Sequence, residues 1–293
     1  MLMNATVLIP VEADTWTGAF VAELRHLLGA SGNRAVLLHV VPDLTEIHPG
    51  DARRLLAEAQ ELLNACAGQL GLPQDRVRLE IQMGNPKTVI PQQAILAQAQ
   101  LVAMTTHARK GIGRLIEGSI AEHVMRVCHC PTLLVHLESA LRDPGKAGRR
   151  VLVPIDISID SSEIVDTLGG LLDPTGTEIV IYHDHLGASE TDPVDHTTRA
   201  YRFIVTQRQR LLAAGFKVTM ASAAFTSPAA DIAKKIRELD VDMVAMTTHG
   251  STGLSRLVFG SVTESVLHHS DCPLLAVSRS PTHDLTYREE YLG

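Results

Sequence analysis

The sequence predicts an α/β protein made of two tandem doubly wound domains, each built on a mostly parallel five-stranded sheet. Three observations carry this. The stretch VAMTTHA at 102–108 returns as VAMTTHG at 244–250, and the longer stretch 102–135 lies on 244–277 without a gap, with about half the positions identical. Aromatic residues make up only 3% of a chain that is 45% hydrophobic. The core must therefore be drawn from Val, Ile, Leu and Ala, the palette of parallel strands buried under helices. Short β-branched runs also alternate with longer stretches of helical period, the pattern of β-α-β crossovers. At 293 residues the chain is long enough for two such domains, each with a core of its own.

In the first unit the strands fall at ATVLIPV (5–11), RAVLLHVV (34–41), VRLEIQ (77–82), QLVAMTT (100–106) and TLLVHL (132–137). Helices fill about 15–30, 51–70, 87–99 and 118–128. The second unit repeats this order from RVLVPI (150–155) to LLAVSR (274–279), and its opening VLVPIDIS (151–158) answers VLIPVEAD (7–14). GNP at 84–86 and TSP at 226–228 place a proline at the first helical position behind a capping residue. ESALRDPGKAGRR (138–150) is polar, holds Pro and Gly and shows no apolar period, as a surface linker should. The expected division is a first domain at 1–138, a linker at 139–149, a second domain at 150–280 and a polar tail at 281–293.

Composition excludes several classes of function. A formal net charge of −7 repels a phosphate backbone, so nucleic acid is not an expected partner. No apolar run reaches the length of a membrane span, and MLMNATVLIP has no basic region leading into a cleavable segment, so the expectation is a cytoplasmic protein without membrane attachment. Cys66, Cys128, Cys130 and Cys272 are too few and too unevenly placed for a disulfide framework. CHC at 128–130 lacks a second Cys/His pair at structural-zinc spacing, which makes buried thiols the expected state and leaves no metal site.

Right-handed crossovers bring every strand's C-terminal end to one side of the sheet, and ligands of such folds bind there, near the switch in strand order. The repeated stretch is one of these ends. VAMTT is the strand, HGSTGLSRLVF the loop leaving it, and GSVTESVLHH a helix whose first turn offers unpaired N–H groups and the positive end of its dipole. A glycine-rich loop feeding a helix N-terminus suits an anion, phosphate above all. Taken alone, Gly250, Gly253 and Gly260 also serve as turns and a close helix–strand contact, and Ser119 and Ser261 as plain N-terminal helix residues.

These residues resemble the universal stress proteins in their tandem form, over nearly the whole chain. Nucleotide-binding members of that family carry G-x2-G-x9-G-[S/T] after the fourth strand. In the second unit Gly250 and Gly260-Ser261 match in register, with Thr247 in place of the leading Gly; in the first unit Gly118-Ser119 match, with Thr105 and Ala108 in place of the loop glycines. The VPID-type first strand and CP-type last strand recur in both units. The resemblance implies a Rossmann-like, nucleotide-binding fold and a stress-response protein that holds ATP, with Mg²⁺, and turns it over little or not at all. It implies Pro154, Asp156 and Ser158 beside the base and ribose, and Met246, Thr247, His249, Gly250, Gly260, Ser261 and Val262 around the phosphates. The first unit's counterparts are Pro10, Glu12, Val40, His107, Gly118 and Ser119. An aspartate suits an adenine because its carboxylate accepts from the exocyclic amine. The family also resembles a pairing of units through their last strands, here TLLVHL and LLAVSR, and the sequence leaves a homodimer open.

Each unit departs from the pattern. The second reads His183-Asp184 where the first keeps His39-Val40, the pair whose valine packs on adenine in the family, and a carboxylate there costs desolvation. The first has Glu12 for the base-reading aspartate and Ala108 where the loop calls for a residue free to take positive φ. His107 and His249 suit a structural hydrogen bond as well as a phosphate, while Arg109, Lys110, Arg114 and Arg256 read as solvated loop charges. No phosphate-binding P-loop, G-x-S-x-G elbow or H-E-x-x-H pair occurs, so no catalytic residue is assigned. A nucleotide-free interaction scaffold and a slow ATP hydrolase stand as alternatives.

Overall fold

The computed structural model describes residues 4–29, 32–43, 48–106, 120–137, 139, 148–155, 162–184, 195–223, 227–247 and 261–277. The chain divides into two compact units between Leu141 and Arg142. In the first, strands β1 (Thr6–Pro10), β2 (Arg34–Val41), β3 (Val77–Met83), β4 (Leu101–Thr106) and β5 (Thr132–His136) lie in the order β3-β2-β1-β4-β5, each neighbouring pair parallel. Helices α1 (Gly18–Gly29), α2 (Pro49–Leu70), α3 (Pro86–Leu96) and α4 (Ile120–Val127) connect them. The second unit repeats the plan. Its strands β6 (Arg149–Ile155), β7 (Thr177–Asp184), β8 (Lys217–Ala223), β9 (Met243–Thr247) and β10 (Leu274–Val277) lie in the order β8-β7-β6-β9-β10, again parallel. Its helices are α5 (Ser162–Leu171), α6 (Asp195–Ala213), α7 (Pro228–Glu238) and α8 (Ser261–His269).

The innermost strands are apolar because both their faces are covered. Val7, Leu8 and Ile9 of β1 and Val151, Leu152 and Val153 of β6 are all 0% exposed. Helix α1 answers with Phe20, Val21, Leu24, Leu27 and Leu28, all buried and spaced as one face of a helix. Burying each such side chain contributes about 1.5–3 kcal/mol.

The expected elements are present, and their ends shift for local reasons. Helix α1 begins at Gly18 rather than near residue 15, because Thr17 supplies the cap: its Oγ1 accepts from the Phe20 N–H at 3.3 Å. Helix α2 starts earlier than expected, at Pro49, with the His48 ring accepting from Gly50 N–H at 3.2 Å. Asn85 caps α3 as GNP suggests, accepting from Lys87 N–H at 3.0 Å. At α7 the Ser227 side chain makes no cap bond; the Asp231 carboxylate instead accepts from the Ser227 N–H at 3.3 Å. Among the described residues no helix is long and apolar enough to cross a membrane.

Candidate functional site

Strand order reverses between β1 and β4, and between β6 and β9, and there the sheet opens. β1 pairs with β2 over five positions, Thr6 to Pro10, but with β4 only at Val7↔Leu101 and Leu8↔Val102. β6 pairs with β7 over seven positions and with β9 only at Val151↔Met243 and Leu152↔Val244. A proline in each unit explains where the ladder stops. Backbone N–H groups alternate sides along a strand. The Thr6 N–H reaches the side chain of Gln100 at 2.7 Å, and the Val11 N–H reaches the Leu38 carbonyl on β2 at 2.8 Å. The nitrogen of Pro10 therefore faces β4, where it has no hydrogen to donate. Pro154 repeats this in the second unit, where the Arg150 N–H meets the Asp242 carboxylate at 2.6 Å on the β9 side. Each pair of strands so parts toward its C-terminal end, which makes a crevice at the switch point.

In the first unit Pro10, Val40 and Thr105, at the C-terminal ends of β1, β2 and β4, are all half-buried. The His39 ring, at the end of β2, meets the Val11 carbonyl at 2.7 Å and so carries its proton on Nδ1, tying the exit of β1 to β2. Beyond it Thr15 closes a turn on Glu12, its Oγ1 donating to the Glu12 carbonyl at 3.0 Å, which leaves the Glu12 side chain exposed. Trp16 follows, edge-on to Phe20 with ring centroids 5.7 Å apart and its Nε1 donating to Gln69 at 3.2 Å. His107, Gly118 and Ser119 lie outside the described residues.

In the second unit Pro154 and Thr247 are half-buried at the parting strands, while Met246 is buried, 6% exposed. Ser261 opens α8 and Val262 is half-buried behind it. The helix is fastened to the strand by Thr263, which is 2% exposed and donates from Oγ1 to the Thr247 carbonyl at 3.1 Å. Asp156, Ser158, His249, Gly250 and Gly260 lie outside the described residues. Sequence reasoning passed over Thr263. A hydroxyl in the first turn of a helix reads as a local cap, and nothing local names a carbonyl on the strand before it.

The four cysteines are buried free thiols. Contact with Cys130, then burial, pushes the Cys128 thiol well up, and burial pushes the Cys66 thiol to about 11. Position 128 corresponds to Ser270 in the second unit, whose Oγ accepts from the Cys272 N–H at 3.1 Å. The CHC stretch thus belongs to the turn entering the last strand. Among the described residues no group of three His, Cys, Asp or Glu side chains is placed to hold a metal ion.

The sequence is 22% identical over 246 residues to a universal stress protein of Mycobacterium tuberculosis, covering 78% of each chain. It is 32% identical over 84 residues, 28% of this chain and 47% of the other, to a putative universal stress protein of Staphylococcus saprophyticus. In three dimensions the fold is similar to the crystal structure of a universal stress protein from Archaeoglobus fulgidus, with a TM-score of 0.66 and 19% identity over 96% of this chain and 99% of that one. The profile of the universal stress protein family matches residues 3–136 and again 148–278. With its strand order and its proline-ended switch point present in both halves, the chain belongs to the universal stress protein family and carries the family's domain twice.

Proposed function

We propose that the protein is a regulatory, stress-linked adenine-nucleotide binder that holds ATP with Mg²⁺, chiefly in its second unit, and hydrolyses it little or not at all. The observation that carries this reading is the switch-point crevice between β6 and β9, which parts at Pro154 and Thr247 beside the first turn of α8. An open crevice at that place, next to unpaired helix N–H groups, suits a phosphorylated ligand. The family's glycine motif supports it, with Gly250 and Gly260-Ser261 on the segment joining β9 to α8. Pro154, Asp156 and Ser158 would meet the base and ribose, and the backbone amides at 250 and 260–262 the phosphates. Mg²⁺ would reach the protein through the phosphates, whose oxygens are the hard ligands it prefers.

The preference for the second unit follows from backbone chemistry. Ala108 in place of Gly250 is strained by about 1 kcal/mol or more if the loop needs positive φ. Against this, Val40 packs on a purine better than Asp184, so the preference should be about tenfold, or about 1.4 kcal/mol. Calorimetry with ATP and Mg²⁺ tests it: Gly250→Val should abolish most binding and Ala108→Val should change it little. The reverse order would make the first unit the working site. Purified protein that carries no nucleotide on denaturation, and takes up none in calorimetry, would replace this reading with the interaction scaffold. Phosphate release at ordinary enzymatic rates would replace it with a hydrolase.

A further inference from the structure

The bond from Thr263 to Thr247 exists in one unit only. In the first unit the corresponding residue of α4 is Ala121, also buried, which has no hydroxyl to offer. In the second unit the donor sits in the first turn of α8 and the acceptor is the last residue of β9, so one hydrogen bond joins a strand that borders the crevice to the helix that follows it. Thr263 is 2% exposed and Thr247 half-buried, so the bond is partly shielded from water, and a bond of this kind helps hold its partners in one arrangement. The first-turn N–H groups of α8 have no partners within the helix. With the helix fastened to the strand end, those groups are held close to the C-terminal end of β9.

We propose that Thr263 is a positioning residue for phosphate: its hydroxyl holds the start of α8 against the end of β9, and this preorganises the second unit, and not the first, for a nucleotide's phosphate chain. The proposal rests on the nucleotide-binding reading above. Thr263 touches the Thr247 carbonyl rather than the ligand, and acts through the placement of backbone amides.

The test compares ATP–Mg²⁺ with adenosine, titrated calorimetrically into the full chain and into Thr263→Val and Thr263→Ser. Valine keeps the shape and removes the donor; serine keeps the donor. Thr263→Val should weaken ATP about tenfold, the factor commanded by one well-placed hydrogen bond, and leave adenosine affinity unchanged; Thr263→Ser should restore ATP binding. Equal losses for ATP and adenosine would reduce Thr263 to a packing residue and overturn the proposal, as would an unchanged ATP affinity in the valine variant. A wild-type chain that binds neither ligand would instead overturn the nucleotide reading itself, and that result is distinct from the other two.

Discussion

Gln98 and Asp240 occupy the same place in the two units and share an unusual backbone. Their φ angles are 50° and 48°, in the left-handed region that favours glycine. Each follows a helix, α3 or α7, and each closes it in the same way. The Ala99 N–H reaches the Ala94 carbonyl at 2.9 Å, and the Val241 N–H reaches the Ile236 carbonyl at 3.0 Å, the long-reach bond of a Schellman end. A side chain there costs about 1 kcal/mol. Gln98→Gly and Asp240→Gly should each therefore raise stability by up to about 1 kcal/mol, less what glycine loses in the unfolded chain. Urea unfolding of the single variants measures this, and a loss of stability would show that these side chains make contacts worth more than the strain. Neither position was legible in the sequence, because Gln and Asp do not announce a left-handed residue as Gly does. Thr263 escaped for a similar reason, since its hydroxyl finds a partner on another element. Pro10 and Pro154 were legible as a repeated pattern, but their part in ending the ladder needed the strand order.

At the scale of elements, most of the fold could be read from punctuation: Pro86 and Pro228 start helices, and Gly71, with φ 67°, closes α2. Helix α3 breaks that rule by holding Pro91 in its interior. A proline there cannot donate to the carbonyl four residues back, which belongs to Lys87. The His123 ring, from α4, comes within hydrogen-bonding reach of the Lys87 backbone. Burial lowers the His123 pKa from 6.5, the charges of Lys87 and Arg126 lower it further, and the bond to the Lys87 carbonyl opposes them. Between the folded and unfolded pKa values the unfolded chain then binds more protons. His123 therefore favours the folded state least in acid, and stability rises as the pH climbs through this window toward 6.5. His123→Gln keeps a donor without the titration and should flatten the stability profile below that pH. His123→Ala should cost about 0.5–1 kcal/mol even at pH 8, where the loss is that of the hydrogen bond alone. An unchanged acid limb in the glutamine variant would assign the pH dependence to other groups.

At the scale of the whole molecule, the formal charge of −7 leaves no surplus of cations to release counterions from a nucleic acid. The chain should give no salt-sensitive mobility shift with DNA or RNA at low-micromolar concentration, and a shift that weakens steeply with added salt would contradict this. The duplication has a consequence of its own. The two copies differ at aligned positions of the sequence: the second has Gly250 and Thr263 where the first has Ala108 and Ala121, and the first has Val40 where the second has Asp184. The copies should accordingly fill in sequence, one equivalent of ATP binding first and a second about tenfold more weakly. The chain's single tryptophan separates the two steps. Trp16 lies between β1 and α1 of the first unit, shortly after Glu12, packed against Phe20. Its emission should stay constant through the first calorimetric equivalent and change during the second. If the emission change saturates with the first equivalent, the first unit is the tighter site, and Val40 outweighs the glycine and the threonine that the second unit retains.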